Sequence, residues 1–255
     1  MSASVRCGKL RVMTTAVVNG NPQARVWLFD FDNTLSALEK QVDWAASRRE
    51  LESFLRAEGI DEAIFREFPS RNLPLYNALL MRRLNGSCDV AGLMRQASAI
   101  IESYELRGVE HAVALPGAIE LLLALRARNK RIAIVTSNSS RTVTRWLVRH
   151  RLTLEIDTIV GRDSLLPLKP APEIIRRALE LSHGSASEAV LVGDSEADLH
   201  AAQYADVGFF GVAANLDART RLEALGAHEV FPSPGDLARH LGLSGFLPKN
   251  IDESH

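Results

Sequence analysis

Apolar positions along the chain fall into two patterns. Short unbroken runs at Val26–Phe31, Arg131–Val135, Ile156–Val160, Ala189–Val192 and Val207–Val212 read as buried strands. The stretches between them repeat at the three- and four-residue spacing of amphipathic helices, predicted over 118–128, 141–150, 173–182, 197–205, 219–225 and 235–241. Residues 229–231 read as a short edge strand. From 37 to 112 no strand pattern occurs. Helices are predicted there over 36–58 (ended by Gly59), from a cap at Asp61 to 67, over 75–84 (stopped at Asn85-Gly86) and over 90–106 (stopped near Gly108), with Pro69 and Pro74 bracketing a loop.

Apolar strands that alternate with helices imply a parallel sheet covered on both faces. The predicted fold is therefore α/β: a Rossmann-like doubly wound parallel sheet core with an inserted all-helical domain. The core takes residues 25–38 and 113–245, and the helical insertion 39–112. Residues 1–24 and 246–255 are expected to be tails, the first flexible. In such a sheet the ligand site lies beyond the carboxyl ends of the strands. Three predicted strands end there in polar or acidic residues, at Asp30/Asp32, Thr136/Ser137 and Asp194, and the loop carrying Lys169 follows the strand ending at Val160.

Composition adds exclusions. With 30 basic and 31 acidic residues the net charge is −1, so neither nucleic acid nor an anionic membrane surface is expected as a partner. No apolar run reaches the length of a membrane span. The two cysteines, Cys7 and Cys88, form no metal-ligand pair, which fits a reducing, cytoplasmic setting. The seven histidines are scattered, with no metal-ligand spacing.

The chemistry starts at Asp30-Phe31-Asp32. Side chains two apart in a strand point the same way, so both carboxylates would project together from the strand end. Two such charges repel unless a cation lies between them or one is protonated. A hard cation such as Mg²⁺ suits oxygen donors. Taken alone, the stretch reads equally well as a strand entering an Asp/Asn turn. Beside a phosphate ester, Asp30 could act as nucleophile and Asp32 as general acid and base. Thr136 offers a hydroxyl to a phosphoryl oxygen, and Lys169 offers positive charge. Asp194 completes a metal site that Asp198, four residues on, can support. Asn138 reads either as a helix cap or as a donor on the phosphate side. Alone, Asp194 and Asp198 would pass for a turn residue and a first-turn helix acid, and Lys169 for a surface lysine. Arg71, Tyr76, Arg82 and Arg83 are read as solvated helix faces.

These residues together resemble the haloacid dehalogenase-like hydrolase superfamily, specifically phosphoglycolate phosphatase-like enzymes with a helical cap after the first strand. Asp30-Phe31-Asp32-Asn33-Thr34, Thr136 after its apolar strand, Lys169-Pro170-Ala171-Pro172 and Gly193-Asp194-Ser195-Glu196-Ala197-Asp198 match the four family motifs in order. The resemblance implies an aspartyl-phosphate on Asp30, and Mg²⁺ held by the Asp30 side chain, the Asp32 backbone carbonyl and Asp194. It implies a phosphatase acting on a small phosphorylated metabolite, as monomer or homodimer, with the cap closing over the site. A phosphomutase on the same scaffold and a non-catalytic binding or regulatory member are the alternatives. The sequence departs from the family pattern twice. Asn33 stands where glycine is commoner, a change that a left-handed turn tolerates. Ser137 stands where asparagine is frequent, which leaves Ser137 as the alternative hydroxyl donor one residue after the favoured Thr136.

Overall fold

The computed structural model describes residues 19–83 and 90–243. Cys7, Cys88, the helix stop at Asn85-Gly86 and the predicted C-terminal tail lie outside the described residues, as does most of the predicted N-terminal tail. Six strands form the sheet: β1 (Val26–Phe29), β2 (Arg131–Val135), β3 (Thr158–Val160), β4 (Ala189–Gly193), β5 (Gly208–Val212) and β6 (Val230–Phe231). All pair in parallel, in the order β3-β2-β1-β4-β5-β6. The chain leaves β1 towards one edge through β2 and β3. It then crosses back and builds outward on the other side with β4. This reversal at β1 opens a crevice at the carboxyl ends of β1, β2 and β4.

Period-two alternation sends each strand into two cores. Trp27, Phe29, Ile132, Ile134, Val190, Val192 and Phe210 face one apolar cluster; Val26, Leu28, Ala133, Val135, Leu191 and Phe209 face the other. Helices α5 (Ala118–Ala127), α6 (Ser140–Arg149) and α10 (Pro234–His240) cover the first face through Leu121, Trp146 and Leu237. Helices α7 (Glu173–Leu181), α8 (Glu196–Tyr204) and α9 (Leu216–Ala224) cover the second through Ile174, Leu199 and Leu222.

Between β1 and β2 lie α1 (Trp44–Ala57), α2 (Glu62–Glu67), α3 (Asn72–Arg83) and α4 (Val90–Val109). Among the described residues of 39–112 there is no strand. These helices enclose an apolar cluster of their own, with Leu51, Leu55, Phe65, Leu79, Met94 and Ile101, joined by Leu168 from the sheet side. The block leaves and rejoins the sheet through a narrow neck. Ser36 bridges Ala114, Ala37 N–H donates to Val113 O (3.0 Å), and Leu115 N–H donates to Leu35 O (2.9 Å).

Several boundaries differ from the sequence expectation for local reasons. The helix predicted from 36 begins at Trp44, because the chain first folds back at Asn33–Ser36 and Asp43 then caps Ala46 N–H (2.8 Å). Helix α3 starts at Asn72 and includes Pro74, which costs nothing in a first turn whose N–H groups have no helical acceptor. Helix α4 ends at Val109, beside the expected stop near Gly108. A Cβ at Gly108 would lie 2.8 Å from Gln41 O, so this glycine serves a close approach. Residues 19–24, assigned to the flexible tail, are packed: Phe209 N–H donates to Asn19 O (3.3 Å), Gly20 N–H donates to Glu229 (2.9 Å), and Ala24 is buried. No helix among the described residues is long and apolar enough to cross a membrane.

Trp27 is fully buried, with its ring stacked against Phe29 (6.3 Å) and Phe210 (5.8 Å) and its indole N–H on Ala24 O (3.1 Å). Trp27→Ala is expected to cost about 3–5 kcal/mol, read as a lower urea midpoint in equilibrium unfolding.

Candidate active site

The β1–β4 ladder runs one residue past β1, with Asp30 N–H on Val192 O (2.9 Å), so Asp30 is held as firmly as the strand. Phe31 continues the alternation into the core, edge-on to Trp146 at 5.4 Å. Asp30 is thereby left at the strand end, 7% exposed. Lys169 reaches it from the loop after β3. Its ammonium donates to Asp30 Oδ1 (2.5 Å), to Asp198 Oδ1 (2.5 Å) and to Val135 O at the end of β2 (3.0 Å). One buried cation therefore ties together groups from β1, β2 and α8. Thr34 donates its hydroxyl to the other Asp30 oxygen at 3.3 Å.

Asp198 is seated by a capping box at the start of α8: its Oδ2 accepts from Ser195 N–H (3.1 Å) and Ser195 Oγ–H (2.5 Å). A Cβ on Gly193 would come within 2.5 Å of Asp198 Cβ, so this seat requires glycine at the end of β4. Carboxylate oxygens of Asp30, Asp194 and Asp198 lie within 4.8 Å of one another. Asp198 places its two oxygens on Lys169 and Ser195, as Asp30 places its own on Lys169 and Thr34. An all-carboxylate cluster of this size suits a hard divalent cation.

The Asp32 carboxylate accepts from Glu39 N–H through Oδ1 at 2.8 Å. Asn33 takes the left-handed conformation, φ 61°, and donates its side-chain amide to Glu39 (2.7 Å). The turn that glycine would make freely is thus made by asparagine with a side-chain partner. Thr136, after β2, is 1% exposed. Its hydroxyl accepts from Asn138 N–H (3.1 Å) and donates to Asn138 Oδ1 (3.1 Å). Ser137 is more exposed, and its carbonyl accepts from Arg162 (2.8 Å). Neither Thr136 nor Asn138 caps α6; Ser139 does, accepting from Thr142 N–H (3.1 Å).

The electrostatics follow from crowding. Burial raises the Asp30 carboxyl to about 6, with Lys169 opposing the shift and Asp198 adding to it. Burial raises Asp32 to about 7 against the Glu39 N–H, with the charges of Asp30, Glu39 and Glu105 adding. Asp194, part exposed at its surface but closely surrounded, is raised to about 9 by burial and by the Asp30 and Asp198 charges. Burial opposes the Lys169 charge, but Asp198 and Asp30 outweigh it and push the ammonium above its ordinary value.

Sequence reasoning missed Glu39, Glu105 and Arg162. Glu105 and Arg162 are fully buried and paired at 2.7 Å, yet lie in stretches that carry no motif. It also read Tyr76 as solvated, whereas Tyr76 is fully buried among the insertion helices. Arg71 is exposed, Arg82 pairs with Glu67 at 2.6 Å on the surface, and the Arg83 side chain lies outside the described residues.

Residues 27–212 match the family model described as haloacid dehalogenase-like hydrolase. A pyrophosphatase PpaX of Bacillus mycoides (strain KBAB4) is 31% identical over 118 residues, 46% of this chain and 55% of that protein. A phosphoglycolate phosphatase of Pseudomonas fluorescens (strain Pf0-1) is 27% identical over 192 residues, 74% of this chain and 69% of that protein. The chain spans about half the length of the pyrophosphatases it matches. Among solved structures, a hydrolase from Pseudomonas syringae superposes with a TM-score of 0.61 at 26% identity, over 86% of this chain and 98% of that one. CbbY from Rhodobacter sphaeroides, at 23% identity, shares the fold with a TM-score of 0.58 over 84% of this chain and 96% of that one.

The raised carboxyls set a pH dependence. Each binds a proton in the folded protein at a pH where the unfolded chain has already lost it, near 4. Their stabilising contribution is therefore complete below about pH 4 and is lost as pH rises through about 6 to about 9. In chelator, the thermal midpoint should fall as pH is raised across that window. Asp194→Asn, which removes the most shifted of the three, should flatten the fall; an unchanged slope would refute the electrostatic account.

Proposed function

The chain belongs to the haloacid dehalogenase-like hydrolase family, and on that premise we propose that it is a Mg²⁺-dependent phosphatase that hydrolyses a small phosphorylated metabolite through an aspartyl-phosphate on Asp30. One observation carries this reading: the Asp30 carboxylate is fixed by Lys169 and Thr34 at the switch point of the sheet, beside Asp194 and Asp198. The phosphatases among its relatives support it.

Asp30 is ionised above about pH 6, and one of its oxygens attacks phosphorus. The new bond is Asp30 O–P, and the bond broken is the ester P–O. Lys169 keeps the carboxylate from swinging away and offsets negative charge on the phosphoryl oxygens. Asp32, raised to about 7, still holds a proton near neutrality and delivers it to the leaving oxygen. In the second half Asp32, now ionised, accepts a proton from water. The water oxygen bonds to phosphorus, the Asp30 O–P bond breaks, and phosphate leaves. Thr136 turns its hydroxyl proton from Asn138 Oδ1 to a phosphoryl oxygen, keeping the Asn138 N–H as its own donor. Ser137, one residue on and more exposed, adds backbone N–H capacity at the start of α6.

The side chains of Asp30 and Asp194, with the Asp32 carbonyl, would hold Mg²⁺. The crowding that raises their carboxyls in its absence is what a hard cation relieves. Bound there, Mg²⁺ supplies charge neutralisation between the carboxylate nucleophile and the anionic ester. The insertion helices α1–α4 act as a cap that excludes bulk water and selects the substrate.

Asp30→Asn keeps size and shape but removes the nucleophile. It is expected to lower phosphate release from an aryl phosphate by at least about 10³-fold, with an unchanged circular dichroism spectrum. The wild type should lose activity in chelator and regain it with Mg²⁺. A variant that turns over near the wild-type rate would sink the covalent mechanism.

A further inference from the structure

Glu105 on α4 and Arg162 just after β3 form an ion pair with both side chains fully buried. Burying two charges costs several kcal/mol per ion before any pairing is counted, and apolar side chains would fasten a helix to a sheet more cheaply. What the pair does that apolar side chains cannot is make directed bonds. Arg162 donates to Glu105 through both terminal nitrogens, at 2.7 and 3.1 Å, and also to Ser137 O at 2.8 Å. Its Nε donates to Ser98 on α4 at 3.1 Å. Glu105 in turn accepts from the Asn138 side-chain amide (3.0 Å), from Ser139 N–H (3.1 Å) and from the Thr142 hydroxyl (3.2 Å).

Each of the three residues after Thr136 is therefore fastened to this pair. A carboxylate only accepts, so Asn138 must present its NH₂ group to Glu105. Its Oδ1 then faces the Thr136 hydroxyl at 3.1 Å. A continuous chain of hydrogen bonds runs from the ion pair through Asn138 to Thr136.

We propose that Glu105 and Arg162 are positioning residues for phosphoryl binding: they fix the Ser137–Ser139 loop so that the Thr136 hydroxyl and the Ser137 N–H meet a phosphoryl oxygen. This rests on the phosphatase reading above, and it makes α4 of the inserted block a working part of the phosphate-binding loop. The pair touches neither phosphorus nor the leaving group; it acts through the loop.

The test uses Glu105→Gln, Arg162→Met and the double variant. Each single change leaves a buried charge unpaired and should destabilise the fold. The double variant removes both charges and should recover much of the lost stability. On the double variant, amide hydrogen exchange over residues 136–142 should be faster than in the wild type while exchange in β1 and β4 is unchanged. KM for an aryl phosphate and the inhibition constant for inorganic phosphate should both rise about tenfold, with a smaller change in kcat. Arg162→Lys, which keeps the charge but not the two-pronged geometry, should fall between. A double variant with wild-type exchange in the loop and wild-type phosphate inhibition overturns the proposal, since a merely structural pair would give that result. Inactivity of the wild type on every phosphate ester would instead strike at the phosphatase reading, and the exchange measurement would still decide whether the pair fixes the loop.

Discussion

Carboxylates gathered in a poorly solvated place need a counter-charge in the same place, and in this protein that charge is the ammonium of Lys169. It stands between Asp30 and Asp198 and rests on the carbonyl of Val135. Its three partners come from β1, α8 and the end of β2, more than a hundred residues apart at the extremes. Such a meeting is possible only because every strand runs the same way, so that each crossover returns its polar end to one edge. Small features serve the same constraint. Gly193 leaves room for the Asp198 carboxylate, and Ser195 fixes that carboxylate from below while it caps its own helix.

The residues of this constellation were legible because each is local. An apolar run of strand length that ends in acid, hydroxyl or glycine declares both an element and a polar terminus, which put Asp30, Thr136 and Asp194 at strand ends, while their part in a site was read only from the four motifs together. The parallel sheet followed from strands apolar on both faces. The all-helical character of the insertion followed from its periodicity, and the structure adds that its helices enclose an apolar cluster of their own. Asp198 was read as support for a metal site, with a first-turn acid as the alternative, and the Ser195-to-Asp198 spacing of a capping box was present in the sequence to be read.

What stayed hidden depends on partners distant in sequence. Glu105 lies on a helix among other charged residues, and nothing local distinguishes it from a solvated neighbour. Its burial is decided by Arg162, 57 residues away. Asn138 was a cap or a phosphate donor until Glu105 claimed its amide. Tyr76 was taken for a surface residue because periodicity within a short helix does not say what α1, α2 and α4 will cover. Boundaries erred where a rule has two uses. Proline marks a loop but also suits a first helical turn.

The neck at Ser36 and Ala114 bears on how such a chain can change over evolutionary time. Everything between its two short segments could be replaced by a block of different shape without altering one strand of the sheet, since the ends of the insertion already lie side by side. Read from the neck alone, the molecule is a scaffold with an interchangeable part. The Glu105–Arg162 pair limits that freedom. A replacement block would arrive next to a buried guanidinium that has lost its carboxylate, so inheritance of the insertion is coupled to inheritance of a single arginine on the sheet side. Modularity here is conditional: the joint is simple to cut, but the two pieces share a buried charge pair.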